Sequence, residues 1–273
     1  MAVTPINLSV TNITATSVRL NWMRWTPLQL FLAGVLGVWF DPSDLSTLFQ
    51  DAAGTIPVTS DGDPVGLMLD KSGNGYHATQ TVSAKRLIYR TDGTLHWLAN
   101  SGTGQFFQTN AIDFSGTNKM TAVVGLKKES DNPTGIAFEF SEVSDFTNGS
   151  FVLFAPSASG SNSYRIFSRG TVISAPAPGV FATAPDTAVI SLIADIAAPT
   201  LTLKRNFSVV QTSTANQGTG NYGNHALYIG MRAGEILPFT GNIHSLVALG
   251  AQTSVDDLDR LEQYTANLTG VTP

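Results

Sequence analysis

The chain has 273 residues, a formal net charge of −5 and no cysteine. Only 13% of its residues are charged, about half of the ~25% usual in soluble domains. The acidic balance argues against nucleic acid or an anionic membrane as a partner. No stretch approaches the ~20 apolar residues of a membrane-spanning helix, and disulfides and cysteine-ligated zinc are excluded. The N-terminus shows neither a basic leader nor an apolar signal core, so we expect no classical secretory signal. A weakly charged surface suits a component of a particle better than a metabolic enzyme.

The first 34 residues are predicted to form an N-terminal β-hairpin arm. Two strand-like runs, residues 6–13 and 17–22, flank a turn at residues 14–16. A lone two-stranded hairpin is only marginally stable in water. We therefore expect the arm to be stabilised by a neighbouring chain or a larger assembly. Its predicted assembly contacts are Leu8, Val10, Val18, Leu20, Trp22 and Trp25.

Residues 35–273 are predicted to form one all-β domain, an antiparallel sandwich of jelly-roll type. Short alternating or β-branched runs recur between turn-forming residues, with little helix between them. This pattern is typical of two packed antiparallel sheets, and a span of this size suits a jelly roll. The clearest predicted strands are residues 120–126, 136–140, 151–155, 164–168, 188–195, 200–205, 225–231 and 242–249.

One α-helix is predicted, over residues 254–269. Ser254 can cap its N-terminus, Asp256 and Asp257 favour the first turn electrostatically, and Gly270 can end it. Apolar residues recur every three or four positions and form a single stripe. We expect this stripe to pack on the sandwich; its members are Val255, Leu258, Leu261, Tyr264 and Leu268.

Catalytic carboxylates are not evident in the sequence. A retaining glycosidase holds two carboxyl groups roughly 5–5.5 Å apart, and on one strand only alternate residues share a face. Glu139 and Glu142 are three positions apart, so with Asp145 they are interpreted as solvent-facing acids at a strand end. We expect no enzyme; the alternative is an active site built from distant carboxylates such as Asp113, Glu139 and Asp186.

A weak metal site is the second candidate. Asp70, Ser72 and Asn74 alternate before Gly75, as oxygen ligands do in calcium loops. The twelfth position of an EF-hand count is Thr81 instead of glutamate. A tight turn with side chains bonded to the backbone is the favoured interpretation, and a structural calcium ion at Asp70 and Asn74 is the alternative. No other cofactor is expected.

Two loop tyrosines are candidates for carbohydrate contact. Tyr76 and Tyr222 lie among polar, glycine-rich loop residues, and exposed aromatic rings stack on the C–H faces of sugars. The competing interpretation for each is packing in the core or an interface, because aromatic residues of sandwiches are mostly buried.

Several segments carry a family resemblance. Residues 37–48 (GVWFDPSDLSTL) and 70–80 (DKSGNGYHATQ), followed by 95–98, 228–232 and 238–246, resemble concanavalin A-like (laminin G-like) jelly-roll domains frequent in proteins of tailed bacteriophages. The terminal helix also fits that family. Residues 4–22 look like the first two strands of a fibronectin type III domain whose remainder is missing.

The resemblance implies a non-enzymatic structural protein of the virion, a tail fibre or tail appendage subunit, with adhesion to host-surface glycan as an added role. Capsid decoration and a carbohydrate-binding module are the alternatives; a glycan depolymerase ranks last because the Glu-x-Asp-x-(x)-Glu strand of related hydrolases is missing. Expected partners are other virion proteins, further copies of the chain (a trimer is favoured) and bacterial surface polysaccharide. The expected location is the tail or capsid surface of the virion, after synthesis in the host cytoplasm.

Overall fold

The computed structural model describes residues 25–142 and 147–272. Five of the predicted assembly contacts lie outside the described residues, as does Asp145: the five are Leu8, Val10, Val18, Leu20 and Trp22. No helix in the described ranges has the length and apolar character needed to span a membrane.

The described residues form nineteen strands, three short 3-10 helices and one α-helix, α1 (Val255–Thr269). The 3-10 helices are Pro27–Leu30, Leu45–Thr47 and Ser83–Lys85. The strands are β1 (Gly37–Phe40), β2 (Leu48–Phe49), β3 (Pro64–Val65), β4 (Leu67–Met68), β5 (Ala78–Thr79), β6 (Leu87–Thr91), β7 (His96–Ser101), β8 (Phe107–Gln108), β9 (Ile112–Asp113), β10 (Lys119–Lys128), β11 (Ile136–Ser141), β12 (Phe151–Phe154), β13 (Ser163–Ser168), β14 (Gly179–Phe181), β15 (Asp186–Asp195), β16 (Thr200–Arg205), β17 (Ser208–Ser213), β18 (Asn224–Ile229) and β19 (Thr240–Leu249).

The strands form two antiparallel sheets packed face to face, which confirms the predicted all-β sandwich. The first sheet has the order β17-β16-β15-β10-β19-β7-β6-β3. Strand β1 pairs with the second half of β19, on the same edge that β7 occupies along the first half. The second sheet has the order β14-β13-β12-β11-β18-β8-β5-β4-β2, with β9 beside β18. Strands β14 and β17 therefore end the two sheets on one side of the sandwich.

The long central strands β10, β15 and β19 are buried on both faces. In β10, Met120, Ala122 and Val124 belong to the core between the sheets. Val123 belongs to a second apolar cluster on the outer face of the first sheet. Two buried faces explain why these strands read as nearly continuous apolar runs rather than as clean alternation.

Helix α1 forms the second layer over that outer face, as predicted, but Val255 in its first turn is 75% exposed and does not pack on the sheet. The Ser254 hydroxyl accepts a hydrogen bond from the Asp257 backbone N–H at 3.1 Å, and Gly270 ends the helix with φ +73°. Leu261 is fully buried against the sheet. Glu262 is fully buried too, and its carboxylate lies 2.8 Å from the Lys204 ammonium. The ion pair links the helix to β16, which lies next to the end strand β17.

Residues 25–36 run along the same face before entering β1. Phe31 is buried in the outer cluster, and Trp25 and Leu30 pack against it. Trp25, predicted as an assembly contact, thus packs within its own chain; a role for it between chains stays a prediction.

Candidate functional site

Helix α1 covers only part of the outer face of the first sheet. It packs on β10, β15 and β19, and its last turn reaches His244 in the first half of β19 through the Leu268 backbone. On the neighbouring strands β6 and β7 the outward side chains remain partly exposed. Here Tyr89, Leu98 and Ile243 point into the core, so their strand neighbours point outward. The outward residues form a partly exposed surface, called here the open face: Ile88, Arg90, Trp97, Ala99, Lys127 and Asn242.

Trp97 lies at the centre of the open face. It pairs across the strands with Arg90, and its ring lies against the His244 ring at a centroid distance of 5.6 Å and an angle of 36°. His244 is the extra residue at a β-bulge, because Ile243 pairs with Leu126 and Ser245 with Gly125. The bulge turns the imidazole outward, under the indole.

The imidazole of His244 acts as a neutral support for the tryptophan. It is only 4% exposed, and burial lowers the pKa of His244 to about 4. Hydrogen bonding to the Leu268 and His96 backbone opposes this lowering only in part. At neutral pH the ring is therefore uncharged, and it packs against the indole.

Two ion pairs flank the tryptophan. On one side the Arg90 guanidinium lies 2.8 Å from the Asp61 carboxylate, and hydrogen bonds from the Thr91 N–H and from Arg90 lower the pKa of Asp61. On the other side the Lys127 ammonium lies 2.7 Å from Glu129. Roughly three strand spacings, about 14 Å, separate the two cations' strands. The open face therefore combines an aromatic platform with charged donors and acceptors at both ends, over a span wider than one sugar ring.

Asn242 completes the second flank. Its side-chain N–H donates to the Glu129 carboxylate at 3.3 Å, and its strand partner is Ala99. An aromatic plate bordered by amide and charged groups is the usual composition of a polar-ligand site.

The sequence analysis did not select Trp97 as a site residue. The signal was present: Trp97 is one position from the buried Leu98 in a short strand, so its side chain must lie on the opposite face. The sequence does not show how much of that face α1 covers.

The structure places Tyr222 in the core, so the predicted sugar contact at this residue is wrong. The side chain is 1% exposed, and its ring meets Phe151 edge to face at 6.0 Å. Its hydroxyl shares a 2.6 Å hydrogen bond with the Ser168 hydroxyl, and burial raises the pKa of Tyr222. The loop folds inward, where the Tyr222 hydroxyl is hydrogen-bonded to a residue 54 positions away in the sequence.

Tyr76 is partly buried against the core on the side of the second sheet. It does not join Trp97, which lies on the outer face of the first sheet. A sugar contact at Tyr76 stays a prediction.

Asp70 and Asn74 form the tight turn of the favoured interpretation. One Asp70 oxygen accepts hydrogen bonds from the Trp39 and Ser72 N–H groups, both at 2.9 Å. The other accepts from the Ser72 hydroxyl and the Tyr76 N–H. The Asn74 amide donates to main-chain carbonyls of residues 35 and 37. These residues do not fit a calcium cage, and the described ranges hold no group of three or more histidine, cysteine or acidic residues suited to a metal.

The three distant carboxylates do not converge. Glu139 was predicted to face solvent, but it is 1% exposed and lies 2.7 Å from the Arg232 guanidinium. That prediction is wrong because the chain after β18 brings Arg232 over the strand. Asp186 is bound by Tyr164 and Arg205.

Asp113 and Glu139 lie on opposite edges of β18. Asp113 pairs with Asn224 and Glu139 with Tyr228. These partners are four residues apart on the strand, about 13 Å at ~3.3 Å per residue. The two carboxylates are therefore farther apart than the roughly 5–9.5 Å that glycoside hydrolysis uses.

No protein-family model matches this chain, and no curated protein does. Its solved neighbours include the binding domain of botulinum neurotoxin DC in complex with rat synaptotagmin II (10% identity, 72% of this chain and 49% of that one, TM-score 0.53). A second is from botulinum neurotoxin type C, whose cell entry depends on interaction with two ganglioside molecules (9%, 72% and 48%, TM-score 0.52). A third is the CBM40 of a Ruminococcus gnavus sialidase bound to sialyllactose (16%, 54% and 83%, TM-score 0.40).

The chain thus spans about half the length of the toxin binding domains that it matches. At these identities the similarity is one of fold. The β-sandwich described above is a fold that this chain shares with toxin binding domains.

Proposed function

We propose that this protein is a non-enzymatic surface component of a bacteriophage particle, a tail fibre or tail appendage subunit, that binds bacterial surface polysaccharide on its open face. The observation that carries the proposal is the Trp97 platform with an ion pair at each end. An indole ring stacks on the C–H face of a sugar, and the flanking donors and acceptors bind its hydroxyl groups.

The fold and the surface composition support a binding role. The chain shares its sandwich with toxin binding domains, and the type C toxin interacts with gangliosides, which are glycolipids. The low content of charged residues suits a surface that contacts neutral sugars and other particle proteins. The separated carboxylates described above favour binding over bond cleavage.

The phage location rests on the resemblance of the motif segments and on the strand-like arm. Both features are typical of a protein module in a phage particle. They are consistent with the tail, which we propose, and also with capsid decoration. Copy number per purified particle separates the two: a small multiple of three or six places the protein on the tail, and hundreds of copies place it on the head.

The binding proposal is tested by calorimetric titration of the full chain with fragments of the host polysaccharide. We expect Trp97→Ala to weaken binding at least about tenfold, a change of ~1.4 kcal/mol, because the stacking surface is lost. Trp97→Phe should retain part of the affinity, since it keeps a ring. Tyr76→Ala tests the alternative sugar contact at that residue and should bind like the wild type if the open face alone holds the sugar.

Three outcomes would contradict this proposal. They are an absence of binding at millimolar sugar, equal affinity in the wild type and Trp97→Ala, and a loss of affinity confined to Tyr76→Ala. Release of reducing ends from the polysaccharide would contradict the non-enzymatic part.

A further inference from the structure

The two sheets end together on one side of the sandwich, at strands β14 and β17. This side is called here the open edge. Within the described residues β17 pairs as a strand only with β16, and β14 only with β13. The Gly179 N–H donates to the Gln211 side-chain oxygen at 2.9 Å, so the two end strands lie side by side. Each keeps one row of backbone donors and acceptors without a strand partner.

The opposite side of the sandwich carries more of the usual devices against strand pairing than the open edge does. The end strands there, β2 and β3, are two residues long, and β3 begins with Pro64. Short strands and proline are common devices that prevent unwanted pairing. Strand β17 is six residues long, and neither β17 nor β14 contains a charge or a proline. The one irregularity in β17 is a bulge at Val210.

The open edge also exposes apolar side chains. Phe181 in β14 is 75% exposed, and Val209 and Val210 in β17 are 62% and 40% exposed. An open groove of about 390 Å³ runs along β17 and is lined by Ala175, Pro176 and residues 211–215. Unpaired backbone together with exposed apolar side chains is the surface that an added strand covers.

We propose that the open edge receives the arm, residues 5–22, of a second copy of this chain as added strands. The arm is expected to pair with a sheet, because the two-stranded hairpin predicted from its two alternating runs is only marginally stable in water. Residues 6–13 are long enough to pair with all six positions of β17. Residues 1–22 contain one charged side chain, Arg19, so an arm meets the uncharged strand without repulsion.

The place where the arm begins favours a second copy over the same chain. Residues 25–36 lead into β1, which lies five strand spacings from β17 in the first sheet, about 24 Å at ~4.8 Å each. Helix α1 packs on β10, β15 and β19 between them. An arm from a neighbour reaches the edge from solvent without crossing this helix-covered face.

An arm in a neighbour's edge is a head-to-tail contact, and such contacts produce closed rings when the rotation closes. The inference is independent of glycan binding. It implies a ring in which every arm and every open edge is used, and the predicted trimer is the ring that we expect. Light scattering of the full chain should then give the mass of three chains.

Disulfide trapping tests the contact directly, since the chain has no cysteine of its own. Two differently tagged chains, one carrying Thr11→Cys and the other Thr212→Cys, are co-expressed and oxidised. We expect a disulfide between the two chains. Ser60→Cys, at an exposed turn outside the open edge, is the matched control and should not couple to Thr11→Cys. Coupling only within a chain that carries both cysteines, or equal coupling to both sites, overturns the proposal.

Charge substitutions supply the second measurement. Val209→Lys and Phe181→Lys should each lower the mass to that of one chain without a change in circular dichroism, and Leu8→Lys in the arm should do the same. Val255→Lys, at a residue that is also 75% exposed, should leave the mass unchanged. A monomeric wild type, or a Val209→Lys variant that keeps its full mass, contradicts the proposal.

Discussion

At the scale of single residues, the structure repeatedly pairs a polar or aromatic group with a partner far away in sequence. Glu139 meets Arg232 across 93 residues, and Ser168 receives Tyr222 across 54. Sequence spacing alone could not reveal these contacts, because they depend on sheet order. The same limit hid Trp97, whose neighbour His244 is supplied by a bulge in a strand that is distant along the chain.

His244 makes stability depend on pH in a definite window. Its pKa is about 4 in the folded protein and 6.5 ordinarily, so between these values the unfolded chain binds a proton that the folded chain does not. The contribution of neutral His244 to the free energy of unfolding is fully present above pH 6.5. It falls as the pH falls toward 4, by about 3 kcal/mol at ~1.4 kcal/mol per pKa unit. Hydrogen bonding to the Leu268 backbone and the nearby Asp92 charge raise the pKa of His244 by smaller amounts, and Lys127 lowers it slightly.

Urea unfolding of the wild type and of His244→Met between pH 7 and 4 measures this dependence. The variant should lose less stability over the window, because a thioether does not titrate. Carboxylates with lowered pKa values, such as Asp44 and Asp61, contribute mainly at and below their ordinary value of 3.8 and do not mask the difference. An identical slope in both proteins would rule out His244 as its source.

At the scale of elements, local sequence signals determine the bounds of α1, whereas several strands form only through pairing with their neighbours. The helix follows the predicted bounds because its cap, its first-turn acids and its final glycine all lie within seventeen residues of sequence. The long strands were predicted within two residues at each end. Strands β14 and β17 were not predicted, since their short sequences become strands only through pairing with β13 and β16.

Close approach of α1 to the sheet requires a glycine in β10. A Cβ added at Gly125 would lie 2.1 Å from the Thr269 hydroxyl oxygen and 3.0 Å from a Thr265 methyl carbon. We expect Gly125→Ala to lower the free energy of unfolding by roughly 1–3 kcal/mol, as overpacking does. Adding Thr269→Ala to it should recover part of the loss, because the closest atom is removed.

Gly116→Ala is the control for this experiment, since a Cβ there has no atom within 4 Å. Denaturant unfolding should show it close to the wild type. Equal stability of Gly125→Ala and Gly116→Ala would show that the helix shifts without cost and that the contact does not position it.

At the scale of the whole molecule, the open face and the open edge lie on different parts of the first sheet. The face is over β6, β7 and β19, and the edge is at β17. A ring built through the edges would therefore leave every open face free for ligand. Several faces in one ring would bind one polysaccharide surface together, and linked sites raise apparent affinity by about 10²–10⁴-fold without any new contact.

This arrangement predicts that binding strength separates from assembly. Val209→Lys, which removes the edge contact, should bind a short oligosaccharide as the wild type does, because its open face is intact. On a surface coated with the host polysaccharide it should dissociate at least about a hundredfold faster, since each chain then holds by one site. Trp97→Ala should lose both kinds of binding while keeping the mass of the assembly. Surface plasmon resonance on the coated surface and calorimetry with the oligosaccharide measure the two quantities; equal dissociation of the wild type and Val209→Lys from the coated surface would show that the copies do not act together.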